Sequence, residues 1–270
     1  MKFVICNEIF KDWPLERVFQ YVASLGYDAI ELAPFTIAPY VTLISPERRS
    51  EIKALAAQNR LLISGIHWVL VQAEGMHLTH PDAATRGKTS QYFSDLVDFC
   101  ADIGGTHIIV GSPKQRSVME GVTYEQAWDW ATAVFTPSVQ QAAERGITIC
   151  LEPLSSAETN FINTAEEAVR FVRQFENDHF RIILDVKAMS SERKSIPQII
   201  EESWPYFAYF HANDANLKGP GFGTVDFLPI ASALRKVGYN GYVSVEVFKF
   251  EEGPEVIASK SLEYLHRTMR

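Results

Sequence analysis

The stretch TICLEPLSSAETNFINTAEEAVRFVRQFENDHFRIILD, residues 148–185, contains two predicted strands joined by a predicted helix. The strands, residues 148–152 and 181–185, are short apolar runs that each end in an acidic side chain. Between them, residues 164–175 carry apolar side chains at helical spacing, and Thr164 stands where a helix cap is expected. This order predicts two parallel strands joined by a helical crossover.

The same pattern of a short strand and a longer helix repeats along the whole chain. The predicted strands are residues 2–6, 29–32, 62–68, 107–110, 148–152, 181–185, 208–211 and 242–247. The predicted helices are residues 15–25, 46–59, 84–103, 124–145, 164–175, 196–203, 227–237 and 255–268. Pro137 is expected to kink or split the fourth helix. The repeat predicts an α/β fold, a (β/α)8 TIM barrel, with residues 1–270 forming a single domain.

Loop lengths distinguish this barrel from a doubly wound open sheet, which is the main alternative. Connections from helix to strand are short, as at residues 26–28 and 238–241, whereas connections from strand to helix are long, as at residues 69–82 and 212–226. Long loops at the carboxyl ends of strands are typical of barrels, which build their active sites there. We therefore expect the functional residues at that end of the barrel.

Four acidic or imidazole side chains end four successive predicted strands: Glu152, Asp185, His211 and Glu246. Each residue taken alone also fits an ordinary role, such as a helix cap or a core histidine. A carboxylate is costly to bury alone, so four such groups at neighbouring strand ends favour a shared divalent metal ion. Three oxygen ligands and one imidazole suit Mn2+, Mg2+ or Co2+, with Zn2+ as a further alternative.

Composition limits the partners. With 33 acidic and 25 basic residues the net charge is −8, and without a cluster of Lys and Arg we expect no nucleic acid partner. No apolar run is long enough to span a bilayer, so we expect no membrane association. The three cysteines, Cys6, Cys100 and Cys150, lie in apolar segments and suit a reducing compartment, which predicts a cytoplasmic protein.

Several short motifs resemble a known family. They are GYDAIE (26–31), GIHW (65–68), GSP (111–113), LEP (151–153), LD (184–185), HAND (211–214), GFGTVD (221–226) and VE (245–246). With them the whole chain resembles the sugar isomerase/epimerase branch of the xylose-isomerase-like barrels, which includes ketose 3-epimerases, hydroxypyruvate isomerase and keto-inositol dehydratase. The resemblance implies that Glu152, Asp185, His211 and Glu246 bind one divalent cation, most often Mn2+. It also implies a small-molecule polyol or keto-sugar substrate and a homodimer or homotetramer.

The four-ligand site favours proton abstraction next to a carbonyl, through an enediolate that the metal stabilises. The activity that we expect is therefore that of a metal-dependent sugar isomerase or epimerase. A carboxylate with one oxygen on the metal keeps the other oxygen free, so Glu152 and Glu246 can exchange acid and base roles on opposite faces of the carbon. The family resemblance assigns the proton chemistry to this pair and leaves Asp185 and His211 as structural ligands.

The substrate side of the site departs from the ketose 3-epimerases. Those enzymes carry Asp-x-x-His at the sixth strand, where this chain has Ala188, and an Arg after the seventh, where it has Leu217 and then Lys218. The substrate need not be a free ketohexose. The resemblance suggests that several residues near the strand ends contact the substrate, although each of them could equally be a packed or a solvated side chain. The two lysines among them could bind an anionic group of the substrate. These candidates are His67, Trp68, Glu158, Lys187 and Lys218.

Two other functions stay open at this point. A dehydratase, a lyase acting on a keto-polyol such as keto-inositol or dehydroshikimate, would use the same enediolate and expel a β-hydroxyl group. A noncatalytic barrel that binds a metal is the other alternative, although binding alone would not require a carboxylate on each face. Hydrolysis of abasic DNA is not favoured, because it calls for a histidine-rich cluster of several metals and a basic groove.

Overall fold

The computed structural model describes all 270 residues and shows eight parallel strands closed into a barrel in the order β1 to β8. The strands are β1 Lys2–Cys6, β2 Ala29–Leu32, β3 Leu62–Ile66, β4 His107–Val110, β5 Thr148–Leu151, β6 Phe180–Asp185, β7 Phe207–Ala212 and β8 Tyr242–Val245. The last strand pairs with the first, with Val243 opposite Phe3, which excludes the open sheet. The predicted TIM barrel is confirmed.

Helices follow the strands on the outside of the barrel. They are α1 Leu15–Leu25, α2 Pro46–Gln58, α3 Ala83–Asp102, α4 Tyr124–Arg145, α5 Ala165–Arg173, α6 Val186–Met189, α7 Ile196–Ser203, α8 Phe227–Lys236 and α9 Pro254–Met269. Short 3-10 turns lie at Asn7–Phe10, Pro34–Thr36 and Val41–Leu43. None of the helices combines the length and the apolar character that a membrane span requires.

The fourth helix is not split, contrary to one form of the expectation for Pro137. Helix α4 runs through Pro137 and buries Phe135 before it and Val139 after it. A reciprocal capping box between Thr123 and Gln126 fixes its start. Packing on both sides of the proline therefore outweighs the loss of one backbone hydrogen bond.

The barrel interior is partly polar, whereas the layer between the sheet and the helices is apolar. A cluster of 69 buried hydrophobic residues fills that layer. A separate set of four buried residues, Ile109, Cys150, Ile183 and Tyr209, packs together. The Tyr209 hydroxyl lies 2.7 Å from the Ser64 hydroxyl and donates to Glu31 across 3.1 Å.

Strand periodicity places the candidate ligands. Successive side chains of a strand point to opposite faces of the sheet, so a residue two positions further on points to the same face. Cys150, Ile183, Tyr209 and Ser244 are therefore followed on the inner face by Glu152, Asp185, His211 and Glu246. The four candidate ligands thus share the carboxyl end of strands β5 to β8.

Candidate functional site

The structure brings Glu152, Asp185, His211 and Glu246 together at the carboxyl end of the barrel. One ligand atom from each residue lies within 4.8 Å of the others, and all four residues are buried. The residues come from four neighbouring strands, or from the position just after the strand, which explains why side chains nearly 100 positions apart in sequence meet. No other group of His, Cys, Asp and Glu in the chain gathers four ligand atoms this closely.

The electrostatics of this cluster fit a divalent cation. Burial, followed by the nearby charges of Asp185 and Glu246, raises the pKa of Glu152 to about 8. The Nδ1 atom of His211 lies 3.1 Å from Oε2 of Glu246, yet neither atom makes a hydrogen bond. Three buried carboxylates and an unbonded imidazole nitrogen around one point form a donor set that a cation would neutralise and satisfy.

Asp185 is held from two sides. Its Oδ1 atom accepts a hydrogen bond from the backbone N–H of Ala188 across 2.7 Å and so caps helix α6. Its Oδ2 atom accepts from the Nδ2 atom of Asn213 across 2.5 Å. The helix-cap role and the ligand role are therefore compatible, because the cap fixes the orientation of the carboxylate.

Glu31, on strand β2, orients His211 from behind. Its fully buried carboxylate lies 3.1 Å from Nε2 of His211 and also accepts hydrogen bonds from Tyr209 and Cys6. Burial alone would raise the pKa of Glu31, but His211 and His67 hold it well below its usual value. A proton on Nε2 that is shared with Glu31 leaves Nδ1 free to bind a cation, an arrangement common for metal-binding histidines.

His67 lies beneath the site and does not line the cavity. Its ring is fully buried, with Nε2 2.9 Å from Glu8 and Nδ1 3.2 Å from Glu31. Burial would lower its pKa, but the two carboxylates raise it to about 10, so the ring is a buried cation. The structure therefore places His67 among the supports of Glu31 and does not bring it to the expected position beside a substrate.

A cavity of about 300 Å³ opens above the cluster. Glu152 and Glu246 line it together with three of the expected substrate contacts, Trp68, Glu158 and Lys187. The residues that complete its wall are Val71, Ile109, Gly111, Ser112, Pro113, Lys114, Gln115, Leu154 and Phe248. The cavity thus joins the two proposed proton-transfer groups to one space in which a small molecule fits.

Two charged side chains of the cavity wall, Lys187 and Glu158, pair with each other. The Nζ atom of Lys187 lies 2.7 Å from Oε1 of Glu158 and 4.2 Å from the centre of the Phe248 ring. Lys218, by contrast, does not line the cavity and forms an ion pair with Glu252. Lys187 is therefore the expected anion-binding lysine that reaches the cavity, and Lys218 does not.

Two further features fix Glu152. Gly111 leaves room for its side chain, because a Cβ atom at that position would lie 2.0 Å from Oε2 of Glu152. The Nη2 atom of the fully buried Arg116 donates to the backbone carbonyl of Glu152 across 2.6 Å. Burial lowers the pKa of Arg116 to about 10, against the opposing effect of Glu152 and Glu158.

Sequence reasoning missed four of these supporting residues: Glu8, Glu31, Arg116 and Asn213. Glu31 carried a usable signal, because it is a charged residue inside the short apolar strand AIEL, where all four residues are buried. Asn213 lies two residues after His211, in a segment that was noted only for its resemblance to a family motif. Glu8 and Arg116 carried no such signal, since their roles depend on distant residues.

The comparisons with known proteins agree with this architecture. The sequence profile of the family described as xylose isomerase-like TIM barrel matches residues 19–268. The D-psicose 3-epimerase of Ruminiclostridium cellulolyticum is 30% identical over 243 residues, which cover 88% of this chain and 80% of the relative. The 3-dehydro-D-guloside 4-epimerase of Escherichia coli is 22% identical over 284 residues, which cover 98% of this chain and 99% of the relative.

Solved structures show the same fold. The D-psicose 3-epimerase of Clostridium cellulolyticum with D-tagatose superposes with a TM-score of 0.87 at 23% identity and covers 100% of both chains. The named relatives in the sequence comparison are sugar epimerases, and the match of profile, sequence and barrel extends over nearly the whole chain. The chain therefore belongs to the xylose isomerase-like TIM barrel family.

Proposed function

We propose that the protein is a divalent-metal-dependent epimerase or isomerase of a neutral keto-sugar, acting by proton abstraction next to the carbonyl. The observation that carries this proposal is the pair Glu152 and Glu246, two buried carboxylates that share the floor of one cavity. The activities named for the relatives, all of them sugar epimerisations, support the same reaction class.

In the proposed reaction, separate residues bind the cation, transfer the proton and support the ligands. Glu152, Asp185, His211 and Glu246 would hold the cation, Mn2+ by preference, which would polarise the substrate carbonyl and stabilise the oxygen charge of the enediolate. Glu246 removes the proton from the neighbouring carbon, and Glu152 returns a proton from the opposite face. Glu31 and Asn213 keep His211 and Asp185 in place while the two glutamates change protonation.

The ion pair between Lys187 and Glu158 on the cavity wall favours a neutral substrate. Lys187 and Glu158 form an ion pair, so neither leaves an unbalanced charge for an anionic group. Beyond their mutual hydrogen bond, Lys187 keeps two ammonium N–H donors and Glu158 keeps acceptor positions on its oxygens, a combination that binds sugar hydroxyl groups. The faces of Trp68 and Phe248 add an apolar surface on which the C–H groups of a sugar can pack. These contacts take the place of the histidine and arginine that the ketose 3-epimerases use.

Lys187 also favours one alternative reaction. Nearby carboxylates, chiefly Asp185 and Glu152, outweigh burial and keep the lysine protonated. A protonated amine on the wall of the cavity could donate to a leaving hydroxyl group, as a dehydratase of a keto-polyol requires. The epimerase and the dehydratase would share proton abstraction by Glu246 and differ in what happens to the enediolate.

Deuterium exchange tests both reactions. Protein loaded with Mn2+ is incubated in heavy water with D-psicose, D-fructose, L-ribulose, hydroxypyruvate, keto-inositol or dehydroshikimate, and the products are followed by NMR after metal removal. Label beside the carbonyl with all hydroxyl groups retained indicates an isomerase or epimerase, whereas loss of water indicates a dehydratase. No label in any compound, despite stoichiometric metal, would contradict the proposal and favour a metal-binding barrel without catalysis.

A matched pair of variants locates the reaction in the cavity. Glu246→Gln removes the proposed base and is expected to abolish exchange with the fold intact. Glu252→Gln neutralises a glutamate of the same size that pairs with Lys218 outside the cavity, and exchange should stay near the wild-type rate. Full activity of Glu246→Gln would refute the assignment.

The location and the assembly are part of the same proposal. The three cysteines are free and buried, which fits the reducing cytoplasm. The family resemblance implies a homodimer or a homotetramer, and light scattering on the purified protein distinguishes these from a monomer.

A further inference from the structure

Trp68 adopts a backbone conformation that is unusual for a large side chain. Its φ angle is 53°, in the left-handed region, and it stands two residues after strand β3 ends at Ile66. Left-handed backbone is unfavourable for residues with a Cβ atom and persists only where the surroundings enforce it. Such residues concentrate at functional sites, so the side chain of Trp68 calls for a functional explanation.

The conformation brings the indole N–H to Glu246. The Nε1 atom donates a hydrogen bond to Oε1 of Glu246 across 2.7 Å. This bond links the segment after strand β3 to the segment after strand β8, which is distant in sequence. The other oxygen of Glu246, Oε2, lies 3.1 Å from Nδ1 of His211. The two oxygens of this carboxylate therefore have separate places, one in the four-residue cluster and one against Trp68.

The indole ring cannot easily swing away from this contact. Phe35 lies against it with the ring centres 6.1 Å apart, and Phe248 lies against it with the centres 6.0 Å apart. Trp68, Phe248 and Glu246 all line the cavity. The donor is thus fixed by packing at the place where a substrate would meet Glu246.

Glu152 has no equivalent support. Its side chain makes no hydrogen bond to another side chain, and Arg116 contacts only its backbone carbonyl. Any effect of Trp68 on proton transfer should therefore act through one carboxylate of the pair. This asymmetry distinguishes a local role from a general contribution to the fold.

We propose that Trp68 is a positioning residue that fixes Oε1 of Glu246, so that its remaining lone pair points at the carbon to be deprotonated. This inference rests on the proposed function, in which each of two epimers is deprotonated by a different glutamate. In that step the C–H bond breaks, its electron pair enters the enediolate, and the proton passes to Oε1. The indole N–H occupies one acceptor position of this oxygen and leaves the other for the proton.

The test compares Trp68→Phe, which keeps an aromatic ring and removes the N–H, with wild-type protein in heavy water. Trp128→Phe is the matched control, because the indole N–H of Trp128 donates to Gln174 on the surface, across 3.1 Å. D-fructose and D-psicose, which differ only at C3, are supplied separately to Mn2+-loaded protein. Conversion and deuterium entry into the unconverted starting sugar are both measured.

Conversion in Trp68→Phe should fall about tenfold to a hundredfold in both directions, the effect of a displacement of about 1 Å at a reacting group. When the starting sugar is the epimer that Glu246 deprotonates, deuterium entry into the unconverted sugar should fall by the same factor as conversion. Entry into the other epimer, which Glu152 serves alone, should stay within about twofold of wild type. Trp128→Phe should change neither quantity.

Two outcomes would overturn this inference and leave the proposed function standing. They are unchanged conversion in Trp68→Phe and an equal fall of deuterium entry into both epimers. No exchange by the wild-type protein with any sugar would instead show that the proposed function fails, and the inference would fail with it. The indole N–H resonance of Trp68 in Mg2+-loaded protein gives a readout without turnover. It should move in Glu246→Ala while the Trp128 resonance stays, and an unmoved Trp68 resonance also overturns the inference.

Discussion

Replacing Gly111 by alanine should impair the site and leave the fold almost unchanged. A Cβ atom at position 111 would lie 2.0 Å from Oε2 of Glu152 and 3.1 Å from its Cδ atom. The backbone of Gly111 is not in the left-handed region, so alanine adopts it without strain. The closest contacts of the added methyl group are therefore with the side chain of Glu152, which is a proposed ligand and acid.

The magnitude follows from the overlap. Ordinary van der Waals contact begins at 3.4 Å, so Oε2 of Glu152 must move by more than about 1 Å. A displacement of about 1 Å at a reacting group costs about a hundredfold in rate, or ~2.7 kcal/mol of transition-state stabilisation. The free energy of unfolding should change by less than about 1 kcal/mol, because a flexible side chain absorbs the clash and alanine restricts the unfolded chain.

The assay measures three quantities for Gly111→Ala: turnover of the sugar that the exchange panel identifies, Mn2+ affinity by calorimetry, and urea unfolding of the metal-free protein. Gly87→Ala is the matched control, because Gly87 lies within helix α3 with no other atom near its Cβ position. The control should gain about 0.5–1 kcal/mol in stability and keep its turnover. Wild-type turnover in Gly111→Ala would refute the placement of Glu152. A loss of several kcal/mol in stability would show that the clash disrupts the fold itself.

Three other predictions concern the surroundings of the cluster. Glu31→Gln removes the carboxylate behind His211 and should weaken Mn2+ binding about 10-fold to 100-fold by calorimetry, and unchanged affinity would contradict the support role. Metal-free protein should lose stability as the pH rises from 6.5 to 9. Folding raises the pKa of Glu152 to about 8 and that of His67 to about 10, so the folded state binds more protons in this range than the unfolded state does. Urea unfolding in the presence of a chelator measures this slope, and a gain in stability would have the wrong sign. Lys187→Met leaves Glu158 without its partner and should raise KM about tenfold, whereas an unchanged KM would exclude Lys187 from the substrate contacts.

Most elements of the fold could be predicted from local sequence alone. Strands β1 and β2 and helices α1 and α4 have the predicted bounds, because alternation, helical spacing and caps all act within a few residues. Strand β3 was predicted to reach residue 68 but ends at Ile66, and the left-handed backbone of Trp68 explains why the extended conformation stops. Helix α6 was missed, since four residues are too few to show a helical period.

The residues of the site likewise fall into those that local sequence predicts and those that depend on distant parts of the chain. The four strand-end residues could be found because the carboxyl ends of parallel strands meet in space, so position along each strand predicts proximity. The pairings around them could not be found. Glu8, in the 3-10 turn after strand β1, meets His67 from a distant part of the sequence. Lys218 pairs with Glu252 outside the cavity, and nothing in the sequence marks these two side chains as partners. Such contacts depend on side-chain directions that only the folded barrel fixes.

The polar interior of the barrel limits how this protein can be engineered. Glu31, Tyr209 and Ser64 form a hydrogen-bonded floor under His211, so filling the lower barrel with larger apolar side chains would remove the groups that orient the ligands. Selection for heat resistance and selection for activity would therefore oppose each other at these positions. Variants with a higher melting temperature and full activity should instead come from the layer between helices and sheet and from the outer helix surfaces, which do not contact the floor.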